Sequence, residues 1–334
     1  QGKTLTEDHR LQAETLYKEG LELHEDAKFV EAAKRFREAI GVDHTHAPSY
    51  VGLGHIFLEQ ENLKEAERAF KKGLRKQRKY APAFNGLGLV YSKKKNELRR
   101  AINYFREANR ADKFYSLAQY NLAKTLQRFG HSETLKAFKD VLKIDPNHQD
   151  ANYQIGLIHE VHRDYQKAEL AYRKQIKVNP VHYGALLHLG LVLKIKGETQ
   201  EAENVLKKVV VDQNLFQRRA LLELGNVYKK QRKFNKSQTH FSAYISGLDV
   251  KERSLYYDLR LIAQGKDLKK IKEASSEERE VLIKAFWAAR DPAPVTEANE
   301  RMLEHYRRVA FARENFGSHR FPWDARGESF IRYG

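Results

Sequence analysis

An all-α fold is what this sequence predicts: a right-handed superhelix of about seven helix-turn-helix units, followed by a mainly helical C-terminal domain. Three observations predict it. Small residues ahead of a hydrophobic turn recur at Gly20, Gly54, Gly88, Ala123, Gly156, Gly190 and Gly225, at intervals of 34, 34, 35, 33, 34 and 35 residues. Each unit also repeats a small residue and then a bulky one on its second helix. The small ones are Ala32, Ala66, Ala101, Ala168, Ala202 and Ser237; the bulky ones are Phe36, Phe70, Phe105, Tyr172, Leu206 and Phe241. Finally, the period stops near residue 251, and prolines and a tryptophan enter.

A period near 34 is the signature of stacked helix pairs. The small residue lets the first helix of a unit (helix A) approach the second (helix B), and the bulky residue fills the space beside the crossing. Glycine inside a helix costs about 0.5–1 kcal/mol against alanine, which the close contact must offset. One pair cannot bury its apolar stripe alone, so neighbours must stack. Pro146 and Pro180 close two of the units, where proline ends a helix. The pattern resembles the tetratricopeptide repeat, seven copies over residues 13–251, with residues 1–12 as an N-terminal segment and 252–334 as a C-terminal domain. The fourth unit departs most, with Ala123 for glycine and Thr134 at the small position.

The net charge of +17 is unevenly placed. Residues 51–250 hold 37 Lys+Arg against 20 Asp+Glu, and the remainder holds 24 of each. Two clusters are dense: Lys71, Lys72, Arg75, Lys76, Arg78 and Lys79, then Lys93, Lys94 and Lys95. Such a patch suits a polyanion or an acidic protein; a solvated face of long side chains is the competing reading. With no cysteine, disulfides, thiolate metal sites and cysteine nucleophiles are excluded. The longest apolar runs, such as 184–193, are too short to span a bilayer, and no signal peptide is evident. A start at Gln1 rather than Met suits a processed or partial product.

In arrays of this kind helix A lines the inner surface. The groove positions counted from each small residue give Tyr17, Asn85, Tyr120 and Tyr153 on one rung. Asn121, Gln154 and His188 stand on the next, then His55, Lys124 and Asn226, with Lys93, Arg128, Lys194, Lys229 and Lys230 beyond. Amides can bond a peptide backbone, rings can stack, and lysines can take acidic groups. The competing reading packs the tyrosines between neighbouring helices. The Lys/Asn combination used to clamp an acidic C-terminus does not recur in the first three units.

No catalytic, metal or cofactor site is expected. His159 and His162 in "HEVHRD" share a helical face but lack a third ligand, and the repeat places a large core residue at 159. "DHTH" (43–46) is an inter-unit turn, and "GKT" (2–4) lacks the upstream glycine of a phosphate loop.

Beyond 251, "SLYYDLRLIAQG" (254–265) predicts one amphipathic helix stopped at Gly265, and "KDLKKIKEA" a short second one. Ser275 and Glu278 form a capping-box pattern for a helix through Leu282, Phe286 and Trp287. Pro292 and Pro294 impose an extended linker, and Thr296 caps a last helix running to Gly317. "RGESFIRYG" (326–334) alternates and predicts a β-strand with an open edge. Phe286-Trp287, Arg290-Asp291-Pro292, Asn299-Glu300, "EHYRRVAFA" and Arg326-Gly327 leading to "IRYG" resemble the bacterial GWxTD domain over residues 254–334. The eponymous motif is replaced by "FPWDARG" (321–327). The resemblance implies a domain that continues past "RYG", no established enzymatic activity, and in many members an export signal. Periplasmic or extracellular residence is the expectation that follows.

The functional expectation is a non-enzymatic scaffold presenting a basic groove to a protein or peptide partner, acidic or polyanionic, ahead of nucleic acid. The alternative is a structural protein that assembles head to tail into a homo-oligomer or filament, for which an open solenoid end and an unpaired strand would serve. An enzyme subunit ranks last.

Overall fold

A computed structural model describes residues 6–292, 298–318 and 321–334. The chain divides into two compact units, Gln1–Ile158 and His159–Gly334. The described residues form nineteen helices and no strand.

In the first unit the helices pair in chain order: α1 (Glu7–Glu25) with α2 (Phe29–Val42), α3 (Ala47–Glu59) with α4 (Leu63–Lys76), α5 (Ala81–Lys93) with α6 (Leu98–Ala111), and α7 (Ser116–Phe129) with α8 (Thr134–Ile144). The A helices α1, α3, α5 and α7 also touch one another in succession, which sets them on the inner side. The typed positions behave as the pattern requires. Ala32, Ala66 and Ala101 are fully buried, and Phe36, Phe70 and Phe105 fill the spaces beside them. A Cβ on Gly88 would stand 2.5 Å from the Phe105 ring, so only glycine permits that crossing. Thr134 is buried and turns its hydroxyl onto the His131 carbonyl at 2.5 Å, which is how the fourth unit accommodates a polar residue there. Helix α1 starts ahead of residue 13, capped by Thr6 in a reciprocal box with His9.

α9 (Ala151–Val161) runs across the boundary between the units. In the second unit α10 (Tyr165–Val178) precedes the pair α11 (Tyr183–Lys196) and α12 (Thr199–Val210), and α13 (Gln217–Lys230) pairs with α14 (Phe234–Ser246). Ser237 replaces alanine in the last pair and is fully buried because its hydroxyl donates to the Gly225 carbonyl at 2.8 Å.

The C-terminal helices depart from the sequence expectation in three places. The helix expected over 254–265 is α15 (Val250–Tyr257), started by the Asp249 side chain on the Glu252 amide. Gly265 does not stop it but opens α16 (Gly265–Glu273), where it adopts φ +54°. α17 (Ser276–Ala288) begins with the expected Ser275–Glu278 box. α18 (Glu300–Phe316) is capped by Asn299, whose side chain accepts from the Met302 amide; Pro294 and Thr296, like Gly2–Thr4, lie outside the described residues. The third departure is the terminal strand, which is instead α19 (Ala325–Tyr333). Asp324 caps it by accepting from the Arg326 and Gly327 amides, and Gly327 and Ile331, one turn apart, face inward. α18 lies against α14, α15 and α19. Its Leu303, Tyr306 and Val309 join Phe241, Ile245 and Tyr256 in one core. Glu252 fixes it further through a bidentate pair with Arg313 at 2.7–2.9 Å.

Candidate functional site: the inner helix face

On the inner face of the first unit, Tyr17 is half-buried, tilted on Phe36 and edge-on to His46. His55 rests edge-on against Phe70 at 5.2 Å, and burial pushes its pKa down to about 4, so it is neutral at pH 7. Asn85 is fully buried and Gln154 nearly so; the groove count had placed both where a ligand could reach them. Their burial follows from side-chain networks. Asn121 Nδ2 donates to Asn85 Oδ1 at 2.9 Å. Gln154 accepts from Gln127 Nε2 at 3.3 Å and donates to Asp150 at 2.9 Å. Tyr120 also donates to Asp150 and stacks on His148 at 4.5 Å. Burial and the Asp150 carboxylate together hold its phenol well above the usual range. Tyr153 is half-buried.

In the second unit His188 is half-buried and shares Glu160 with the Tyr172 hydroxyl, at 2.9 and 2.6 Å. Glu160 lies below its ordinary pKa: burial would raise it, and these hydrogen bonds outweigh that. Asn226 lies 3.4 Å from Glu223, which is buried and paired with Lys194 and Arg219.

Three of these contacts follow one rule. A residue four after the small crossing residue of one A helix meets the residue two before the crossing residue of the next. Gln127 meets Gln154 in the first unit; Glu160 meets His188 and Lys194 meets Glu223 in the second. Six residues of helical rise is about 9 Å, which is the stagger of neighbouring A helices. Lys229, four after Gly225, meets Glu304 at 2.7 Å on α18, so α18 takes the next A-helix place in this ladder. Burial works against the Glu304 charge, but Arg307, Lys229 and Arg308 hold its pKa far below the usual carboxylate range.

The α7 stretch of the inner face is less saturated. Asn121, Lys124 and Arg128 lie three and four residues apart along α7, on one helical stripe. Lys124 is half-buried and Arg128 exposed. Arg128 donates to the Ser92 carbonyl at 3.1 Å, but among the described residues neither cation has a carboxylate within ion-pair distance. The groove count missed Tyr115, which lies by Asn85, and Tyr80, which lies by Tyr115 and Tyr17. Burial, then Tyr17, Tyr115 and Glu14, push the Tyr80 phenol up to about 12. The signal for them was present: His46, Tyr80, Tyr115, His148 and His182 recur at 34, 35, 33 and 34 residues, an aromatic side chain at the entry to successive A helices.

The basic clusters lie on α4, α5 and the turns after them. Lys71, Lys72, Arg75, Lys76, Arg78, Lys79, Lys93 and Lys95 are exposed and Lys94 half-buried. Lys71 and Lys94 both bind Glu67, at 2.6 and 2.5 Å. Burial opposes ionisation of Glu67, but these lysines and the Tyr91 hydroxyl hold its pKa at about 2. The other seven cations have no carboxylate partner among the described residues. No group of three His, Cys, Asp or Glu able to hold a metal occurs there either. His159 is half-buried rather than deep in the core, and His162 is exposed. Among the described residues no helix is long and apolar enough to cross a membrane.

Stacked helix pairs with small-on-large crossings and a polar inner face define a solenoid of the helix-turn-helix class. Family models of the tetratricopeptide repeat match residues 47–79 and 153–214, so the chain contains tetratricopeptide repeats. No curated protein matches it. Among solved structures it is similar to PilW, described as a widely conserved type IV pilus biogenesis factor: 16% identity over 63% of this chain and 98% of that one, TM-score 0.54. It is also similar to YrrB, described as a TPR protein with an unusual peptide-binding site, at 27% identity over 51% and 88%, TM-score 0.40. A tetratricopeptide repeat protein from Parabacteroides merdae matches at 14% identity over 73% and 96%, TM-score 0.47.

Proposed function

We propose that this chain is a non-enzymatic scaffold that binds an extended acidic peptide along α7 on the inner face of its first unit. The observation that supports this is the contrast between α7 and the other rungs. On the neighbouring rungs Gln127 pairs with Gln154, Glu160 with His188 and Lys194 with Glu223 across helices. On α7, among the described residues, the Asn121 Oδ1 has no partner, and Lys124 and Arg128 have no carboxylate. Asn121 is held by its own Nδ2, so its Oδ1 can accept a peptide N–H without a rotamer search. Lys124 and Arg128, one and two turns on, suit acidic side chains of the same strand. Tyr80 and Tyr115 offer ring surface at the entry to the groove.

An Asn121→Ala/Lys124→Ala double variant tests the reading. Acidic peptides selected from a displayed library on the intact chain should bind the variant about tenfold more weakly. The affinity of the intact chain should fall as salt rises, in proportion to the ion pairs made. Unchanged affinity and salt slope in the variant would reject α7 as the site.

Head-to-tail assembly, the alternative, draws on an open solenoid end and an unpaired terminal strand; residues 325–333 are helical, which leaves the open end as its one ground. The resemblance of residues 254–334 to the GWxTD domain supports reading α15–α19 as a cap on the last repeat and a periplasmic or extracellular location. A signal sequence in the complete gene is the test of that location.

A further inference from the structure

We propose that the C-terminal helices hold a second site, independent of the α7 groove, for a phosphate monoester carried on an aromatic or apolar body. The site is a cavity of about 350 Å³ walled by α17, α18 and α19. Four guanidinium groups line it, those of Arg290, Arg301, Arg308 and Arg332, against one carboxylate, Glu304. Two of the four are engaged. Arg290 binds Asp267 at 2.8 Å and lies over the Phe286 ring at 3.8 Å. Arg308 binds Glu304 at 2.8 Å, a carboxylate already shared with Lys229 and Arg307. Arg301 and Arg332 are exposed and meet no carboxylate among the described residues.

The second observation is His305. It lines the same cavity, is 4% exposed, and neither ring nitrogen has a hydrogen-bond partner. The Tyr256 carbonyl favours the protonated ring without reaching hydrogen-bond geometry, and burial dominates, pushing the pKa down to about 4. At pH 7 the ring is therefore neutral and presents one N–H. A buried polar group without a partner keeps an uncompensated desolvation penalty. An occupant that accepts that N–H removes the penalty.

The chemistry of the walls selects the ligand. A carboxylate would be satisfied by one guanidinium fork. Two forks without a carboxylate among the described residues and a neutral imidazole donor suit the three oxygens of a phosphoryl group. Buried Phe286, Trp287 and Ile331 complete the wall, and an aromatic or apolar body attached to the phosphate would lie against them.

The test titrates the full chain with phenyl phosphate and, separately, with a phosphotyrosine peptide, by calorimetry and by the ³¹P resonance. At least one probe should bind saturably, and the tighter arm identifies whether the phosphate comes from a small molecule or from a modified protein. Arg301→Ala/Arg332→Ala changes two exposed side chains. It should keep the thermal transition and weaken binding by about tenfold or more. Asn121→Ala/Lys124→Ala should leave the phenyl phosphate affinity unchanged, so that this site and the peptide groove fail separately. No saturation in the millimolar range for either probe, or equal affinity in the arginine double variant, would overturn the proposal.

Discussion

Gly88→Leu is expected to melt the first unit well below the temperature of the unsubstituted chain, with a loss of about 3 kcal/mol or more. Even a Cβ at this position would stand 2.5 Å from Phe105 Cε1, 2.6 Å from Cδ1 and 2.8 Å from Cζ. Phe105 is fully buried, so its ring has no vacant space to enter, and α5 must lift from α6. A solenoid is held by nearest-neighbour contacts, so hydrogen exchange should accelerate in α5, α6 and their flanking helices before it does elsewhere. Gly41 supplies the control. It too is helical, but nothing lies within 4 Å of a Cβ built there. Gly41→Ala should be neutral or stabilising by up to about 1 kcal/mol. An unchanged thermal scan for Gly88→Leu, or equal losses for both variants, would remove the crossing argument on which the fold assignment rests.

Much of the fold was legible because it depends on residue type at fixed intervals. A small residue facing a bulky one leaves a mark in the sequence, and Ala32 with Phe36 or Ala66 with Phe70 can be read without coordinates. The Ser275 box was legible for the same reason, since a cap is local. The C-terminal helix bounds were less so. Residues 326–334 satisfy a two-residue alternation, but Gly327 and Ile331 also satisfy a helical turn. What decides is Asp324, whose side chain takes the first free amides. The helix starting at Val250 had a comparable signal in Asp249, three residues before Glu252.

The groove was legible as a surface and not as a set of free groups. Counting from the crossing residue identifies which side chains point inward, but their partners depend on the stagger of the adjacent A helix. That stagger is a property of packing, and it turns Gln154 and His188 from ligands-in-waiting into cross-braces. It leaves Asn121 and Lys124 as the accessible pair. The same limit applies to charge. The excess of cations in residues 51–250 is plain in composition, yet Lys71 and Lys94 share one carboxylate, Glu67, and so keep one net charge between them.

Glu203→Gln is expected to cost the second unit about 3 kcal/mol at pH 7, and the cost should shrink as the medium is acidified. Glu203 is 3% exposed on α12. Its carboxylate accepts from Lys207 at 2.6 Å, and from Lys233 and the Tyr228 hydroxyl at 3.2 Å each. Burial alone would raise its pKa, but the hydrogen bonds from Lys207, Lys233 and Gln231 outweigh burial and hold it at about 2. An ordinary glutamate titrates near 4.3, so the folded state binds its proton less readily than the unfolded chain does. Stability from this group is therefore complete above about pH 5 and is lost as the pH falls toward 2. A shift of this size corresponds to about 3 kcal/mol, within the range for breaking a buried charge pair. Glutamine keeps the shape, so no cavity is made, but it brings an amide N–H₂ against two lysines. Denaturant titrations at pH 7 and pH 3 separate charge from packing. The gap between the parent chain and the variant should narrow at pH 3, where the parent has already lost part of this contribution. Glu67, also held at about 2, should preserve an acid-sensitive limb in the first unit of the variant. A gap of equal size at both pH values would mean that packing at residue 203, and not its charge, sustains α12 against its neighbours.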